Sequence, residues 1–209
     1  MDVHAPHEPV HNWRDFLTHL IIVTIGLFIA LMMEAGVELL HHRHLVREAR
    51  DNIRTELQTN HDAAQKDLAL VQQNIDRQKQ NIQSIHELSR QGEKFSGGVS
   101  NTMDFDSMED AAWHTARDTG ALGYMSYAEV QRYSDIYSMA DLVNQHAMQT
   151  AEHDFGAAAA FDMGIDPGKL APDDYKKLLH DNAAVEIELV ALLQFLQQYD
   201  AICVAELKK

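Results

Sequence analysis

A single cysteine, Cys203, four prolines and ten glycines in 209 residues leave little to staple, kink or turn this chain. One thiol forms no intramolecular disulfide, no redox dyad and no multi-cysteine metal site. Proline and glycine are scarce, and the stretches between the glycine clusters are dominated by Ala, Leu, Gln and Glu. Such stretches are expected to be helical. Bases are scarce as well: 17 Lys and Arg stand against 32 Asp and Glu, a formal charge of −15. A surface of that sign repels phosphate backbones and offers no basic stripe, so nucleic acid is excluded as a partner. No GxSxG, P-loop, GxGxxG or HExxH occurs, and nothing in the pattern points to an enzyme or calls for a cofactor.

One long apolar run is present. Phe16 to Leu40 is 25 residues in which His19, Glu34 and Glu38 are the only ionisable groups, and as a helix it spans ~37 Å, enough to cross a bilayer. The strictly apolar part, Leu20 to Met33, is 14 residues, a length shared with signal-peptide cores. A signal peptide is rejected because the preceding residues carry one arginine and no lysine, and because the helical pattern continues without a small-x-small cleavage site. Trp13 and Phe16 stand where interfacial aromatics belong. At the other end His41, His42, Arg43 and His44 form a headgroup collar. Gly26, Ala30 and Glu34 recur at i, i+4 and i+8, a small-residue face that admits a second helix. Glu34 lies close to the headgroup boundary, placed to snorkel, to pair with His41 or, in a symmetric oligomer, to line a cation path.

Arg14 is the only base near the amino side of the run, against Arg43, Arg47, Arg50 and Arg54 on the other. This count favours a cytoplasmic main domain, whereas an anchor so near the amino end favours export. The balance leans to the cytoplasmic side.

Beyond the run, helical period persists through Val46, Ile53, Leu57, Ala64, Leu68, Val71, Ile75, Ile82 and Ile85 to about Leu88. Arg50, Asn60 and Gln78 fall on that stripe, which suits one helix of a bundle better than a self-sufficient coiled coil. Its other faces, rich in Gln, Asn, Asp and Lys, are expected to be wet. "QGEKFSGGVSN", residues 91–101, opens a linker. Ser107 with Asp110 predicts a short helix from Met108 to about Asp118, and "TGALG" ends it. Ser126 with Glu129 starts a helix with a stripe of Val130, Tyr133, Tyr137, Ala140, Ala147 and Ala151, breaking at Gly164 and Pro167. Pro172, with Asp173 and Asp174, starts the last helix. Its stripe of Tyr175, Leu178, Val185, Leu189, Leu192, Leu196, Tyr199 and Cys203 is the strongest apolar face of this part.

The predicted fold is therefore all-α: a tail (1–15), a transmembrane helix (16–40), and a helical domain (41–209, linker 91–106). In that domain a long continuation of the membrane helix joins an antiparallel bundle of about three to four helices.

Thirteen histidines raise a metal hypothesis, with His4, His7 and His11 spaced to share an ion, but no framework fixes them and no metal site is predicted. Met139, His146, Met148 and His153 read as core filler. Glu186 and Glu188, two apart on a helix, diverge and read as surface acids. Trp113 and Tyr124 are expected to plug one end of the bundle or to line a small-ligand pocket.

The stretches "HNWRDFLTHLIIVTIGLFIALMMEAGVELLHHRHLVREARDNI" and "AWHTARDTGALGYMSYAEVQRYSDIY" resemble a group of uncharacterised bacterial single-pass membrane proteins with a short amino tail, one membrane helix and a helical domain of unknown function. The resemblance implies a bacterial inner membrane and carries no catalytic residue. The expected function is a non-enzymatic, homo-oligomeric scaffold or accessory subunit, in its bolder form a pore. Its partners are the bilayer, further copies of the chain and another membrane protein. A sensor or ligand-binding module acting through a partner is the alternative.

Overall fold

The computed structural model describes residues 12–162 and 169–209, the side chains of 160–162 excepted. Among the described residues 87% are helical and no strand occurs, so the fold class is all-α. The helices are α1 (Trp13–Gln91), α2 (Ala111–Asp118), α3 (Tyr127–Asp162) and α4 (Pro172–Leu207). Two compact units divide the chain, one ending at Glu48 and the other Ala49–Lys209.

In the first unit every residue from 12 to 41 is exposed, the apolar ones included. The hydroxyls in this stretch are satisfied within the helix. Thr18 Oγ1 donates to the carbonyl of Arg14 at 2.9 Å and Thr24 Oγ1 to that of Leu20 at 2.7 Å, back-bonds that remove the donor from any competition for water.

In the second unit the stripes read from the sequence close a core. Ile53, Leu57, Ala64, Val71, Ile75 and Ile85 of α1 are buried, as are Tyr133, Tyr137, Ala140 and Ala147 of α3. The α4 stripe is buried from Leu178 to Cys203, while Tyr175 at its start is half-buried. Cross-helix bonds give the directions. Arg54 donates to the Leu207 carbonyl, His61 Nδ1 lies 2.6 Å from Asp200 Oδ1, and Gln78 donates to Asn182. Partner numbers on α4 thus fall as those on α1 rise. Between α1 and α3 they rise together: Arg50 pairs with Glu129, and Glu56 with Tyr137.

Parallel α1 and α3 require the chain to return along their length, and residues 95–110, none of them helical, make that return. This strap corrects the expectation that the polar faces of α1 are wet. Off the apolar stripe, Glu56, Asp67, Asn74 and Asn81 are all buried, because strap and neighbouring helices cover them; Asn60 and Gln78, which fall on the stripe, are buried with it.

Asparagines hold the strap by its backbone. Asn81 receives the Ser100 N–H at 3.0 Å and donates to the Ser100 carbonyl at 3.1 Å. Asn144 of α3 does the same at Met108 (2.8 and 2.9 Å), and Asn60 at Glu109 (2.7 and 2.8 Å). Each side-chain amide closes both hydrogen bonds of one residue, as a neighbouring strand would.

The same grips correct the predicted start of the short helix at Met108. With the backbones of Met108 and Glu109 taken, α2 begins only at Ala111. It ends where Gly120, at φ +78°, turns left-handed. At α3 Ser126 Oγ accepts the Glu129 N–H at 3.3 Å, while Glu129 gives both carboxylate oxygens to Arg50 rather than completing a capping box. Asp174 accepts the Ala171 N–H at 3.0 Å, fixing the start of α4. The predicted break at Gly164 and Pro167 lies outside the described residues, as do His4, His7 and His11.

Candidate functional site

Gly26, Ala30 and Glu34 share one exposed face of α1, and a Cβ added at Gly26 would meet no atom within 4 Å. The face is open. In the collar, Glu38 Oε1 lies 3.9 Å from His42 Nε2, one helical turn on. The rings of His41 and His42 stand 6.1 Å apart, and Arg47 approaches His44 Nδ1 at 3.4 Å. His41, Arg43 and His44 are exposed.

Arg50 and Arg54, counted above as orienting charges, belong to a network of the second unit. Arg50 is bidentate to Glu129 at 2.6 and 2.7 Å and holds that carboxyl below its ordinary range. Arg132 and Lys209 both reach Glu206, at 3.2 and 2.6 Å, and Arg54 caps the last carbonyls of α4 through Leu207 at 2.6 Å. These groups surround a cleft of about 320 Å³. Four cations, Arg50, Arg54, Arg132 and Lys209, line it with three carboxylates, Asp51, Glu129 and Glu206, so most of its charge is compensated in place.

Trp113 lines a cleft of which Tyr124 is not part. The Trp113 ring stacks on Tyr137, with centroids 5.4 Å apart and planes at 14°. The Tyr137 hydroxyl donates to Glu56 Oε1 at 2.6 Å, and Glu56 Oε2 accepts the Ala112 N–H at 2.7 Å. Burial, and then this bond, push the Tyr137 hydroxyl far above its ordinary range, so it stays a donor at every working pH. A buried acid is thereby satisfied without a cation. Asp110, Trp113, His114, Ser134, Tyr137, Ser138 and Asp141 line an open cleft of about 300 Å³. Tyr124 is not among them and is 54% exposed.

Glu188, expected on the surface, is mostly covered: His153 Nδ1 lies 2.7 Å from its Oε1, and its Oε2 is buried without a partner. His146 Nε2 lies 3.1 Å from the Glu188 carbonyl and its ring meets Phe195 edge-on. Met148 is 70% exposed and not core filler, because the α3 stripe runs through Ala147 and Thr150 instead. Cys203 is a buried free thiol, pushed by burial up to about 11, and so stays protonated. Among the described residues no three His, Cys, Asp or Glu side chains are grouped to hold a metal.

Sequence reasoning missed the three gripping asparagines as a set. Asn60 stood out as polar on an apolar stripe, but periodicity gave no sign that Asn81 and Asn144 face the same strap. A helix of 82 residues counted through Lys94 contains a window apolar enough to cross a membrane, 0% buried, and Pro172–Leu207 contains a weaker one, 28% buried. Comparison with family models, curated proteins and solved structures finds no match to this chain. The class defined is an all-α protein whose amino-terminal helix carries a wholly exposed apolar run.

Proposed function

We propose that the chain is a membrane-anchored, non-enzymatic scaffold or accessory subunit of the bacterial inner membrane, crossing once through residues 16–40 and assembling with further copies. The observation that carries this reading is the exposure of every residue from 12 to 41 on a helix whose hydroxyls bond back to their own backbone. Water penalises so much contiguous apolar surface; lipid does not. Helix α4, which carries the weaker window, also holds buried Asn182, bonded to Gln78 of α1, and mostly covered Glu188, bonded to His153 of α3. These polar pairs suit a bundle core better than a second span.

In the remainder, the opposed order of α1–α4 pairs supports an antiparallel bundle of three long helices with α2 beside them. The Gly26/Ala30/Glu34 face is the assembly surface, His41 to His44 meet headgroups, and Glu34 is either interfacial or the acid of a cation path. The deciding measurement is the mass of the detergent-solubilised particle by light scattering with the detergent share separated. A discrete oligomer is expected; a monomer removes assembly and pore together.

The Trp113 cleft favours a second reading, a ligand-binding module acting through a partner. The chain has two tryptophans, Trp13 and Trp113, so the Trp13→Phe variant isolates the reporter. A ligand in the cleft changes its emission and raises Tm; a pure scaffold shows neither change across a small-molecule panel.

A further inference from the structure

Between the asparagine grips the strap is held at Asp106 by a carboxylate. Asp67 of α1 is fully buried. Its Oδ1 accepts the Asp106 N–H at 3.2 Å, and its Oδ2 is buried with no hydrogen-bond partner. The charged groups that act on it are the Asp106 carboxylate, from the strap, and Lys66, from its own helix. Lys66 is itself drawn to Asp106 at 2.6 Å, in a pair that both partners leave half or more exposed and solvent therefore screens. The strap around this point is acidic, with Asp104, Asp106, Glu109 and Asp110 in seven residues. A buried carboxylate without a directly bonded cation thus faces an acidic segment that it must hold down.

We propose that Asp67 is a proton-operated latch: protonated, it holds the middle of the strap against α1, and ionised, it loosens residues 104–107 while the asparagine grips keep the ends.

The protonated form suits the site because its new O–H removes the charge from a place water does not reach. Burial, the largest influence, raises the Asp67 carboxyl to about 6; the Asp106 N–H opposes the rise, the Asp106 charge adds to it, and Lys66 opposes it. The sign follows. A group whose folded pKa lies above its open-state value, near 4, binds more protons closed than open between those two values. Closure is therefore strongest at the acid end of the window, weakens as pH rises from about 4 to 6, and is flat above. Between pH 5 and pH 7 the opening constant of the segment rises about tenfold. Asp154 of α3 is a second buried acid shifted upward by burial. It acts at the far end of the strap, where Asn101 donates to it at 2.9 Å, with Arg77 opposing the shift, so its titration reads out at residue 101 rather than 106.

The test is native-state hydrogen exchange on the full chain in detergent at pH 5 and pH 7, corrected for intrinsic exchange. The readout is the Asp106 amide, with an α4 core amide as reference. About tenfold less protection at pH 7, abolished in Asp67→Asn, upholds the latch. Equal protection at both pH values in the wild type, or an unchanged drop in Asp67→Asn, overturns it. Should that variant fail to fold, a carboxyl carbon NMR titration of the wild-type Asp67 decides: a midpoint near 6 upholds the proposal and one near 4 overturns it.

Discussion

The Asn60→Ala variant unfolds with a stability about 2–4 kcal/mol below the parent, because two backbone groups of the strap lose their partners in one step. Asn60 is fully buried. It receives the Glu109 N–H at 2.7 Å and donates to the Glu109 carbonyl at 2.8 Å, and alanine replaces neither bond while leaving a gap. Asn60→Asp rescues nothing at neutral pH: it keeps the acceptor but faces the Glu109 carbonyl with a second acceptor, and it adds a charge close to buried Glu56. The reference is Gln58→Ala, which removes only an exposed bond to Asp62, 3.0 Å long and one turn away, and shifts stability by less than about 0.5 kcal/mol. Urea unfolding followed by circular dichroism at 222 nm separates the two. If Asn60→Ala unfolds with Gln58→Ala, the strap contributes no stability and the buried polar face needs another explanation.

The double variant Gly26→Leu with Ala30→Leu converts the proposed oligomer to smaller particles, with association weakened at least about 100-fold. In lipid, helices gain little from hiding apolar surface, and what holds them is close packing across small residues. Two isobutyl groups on that face push the axes apart and lose most of the packing together. Met32 stands on the opposite side of the helix, and Met32→Leu conserves volume, so this control keeps the parental mass. Light scattering on the solubilised particle reads all three. A double variant with unchanged mass removes the Gly26/Ala30/Glu34 face as an interface, whatever the oligomer number.

Much of the fold was legible because helices announce themselves by period. The stripe from Leu178 to Cys203 is buried as read, and Pro172 opens α4 as read. The return path was not legible. Glycines and serines after Gln91 signal the end of a helix, but nothing in "FSGGVSNTMDFDSMED" says that a covering segment follows rather than a free linker. That information resides in Asn60, Asn81 and Asn144, three ordinary polar residues whose joint role exists only once α1 and α3 run the same way. The candidate sites divide along the same line. Gly26, Ala30 and Glu34 follow from helical spacing alone. The neighbourhood of Trp113 depended on which side of α3 it meets, and there it stacks on Tyr137, which in turn is bonded to Glu56.

The asparagine grips bond mainly to peptide groups, Asn81 adding one bond to a strap side chain, Asn101 Oδ1, at 3.2 Å, and this sets how the strap tolerates substitution. At Ser100 and Glu109, whose own side chains are exposed, any amino acid with an N–H fits the same grip. Proline, which lacks one, is the exception that forfeits half of it. Where the side chain faces water, as at Ser100 and Glu109, the strap is thus specified by the residues that hold it and its own letters are free to drift; Asn101, Asp106 and Met108, which bond or are buried, are not.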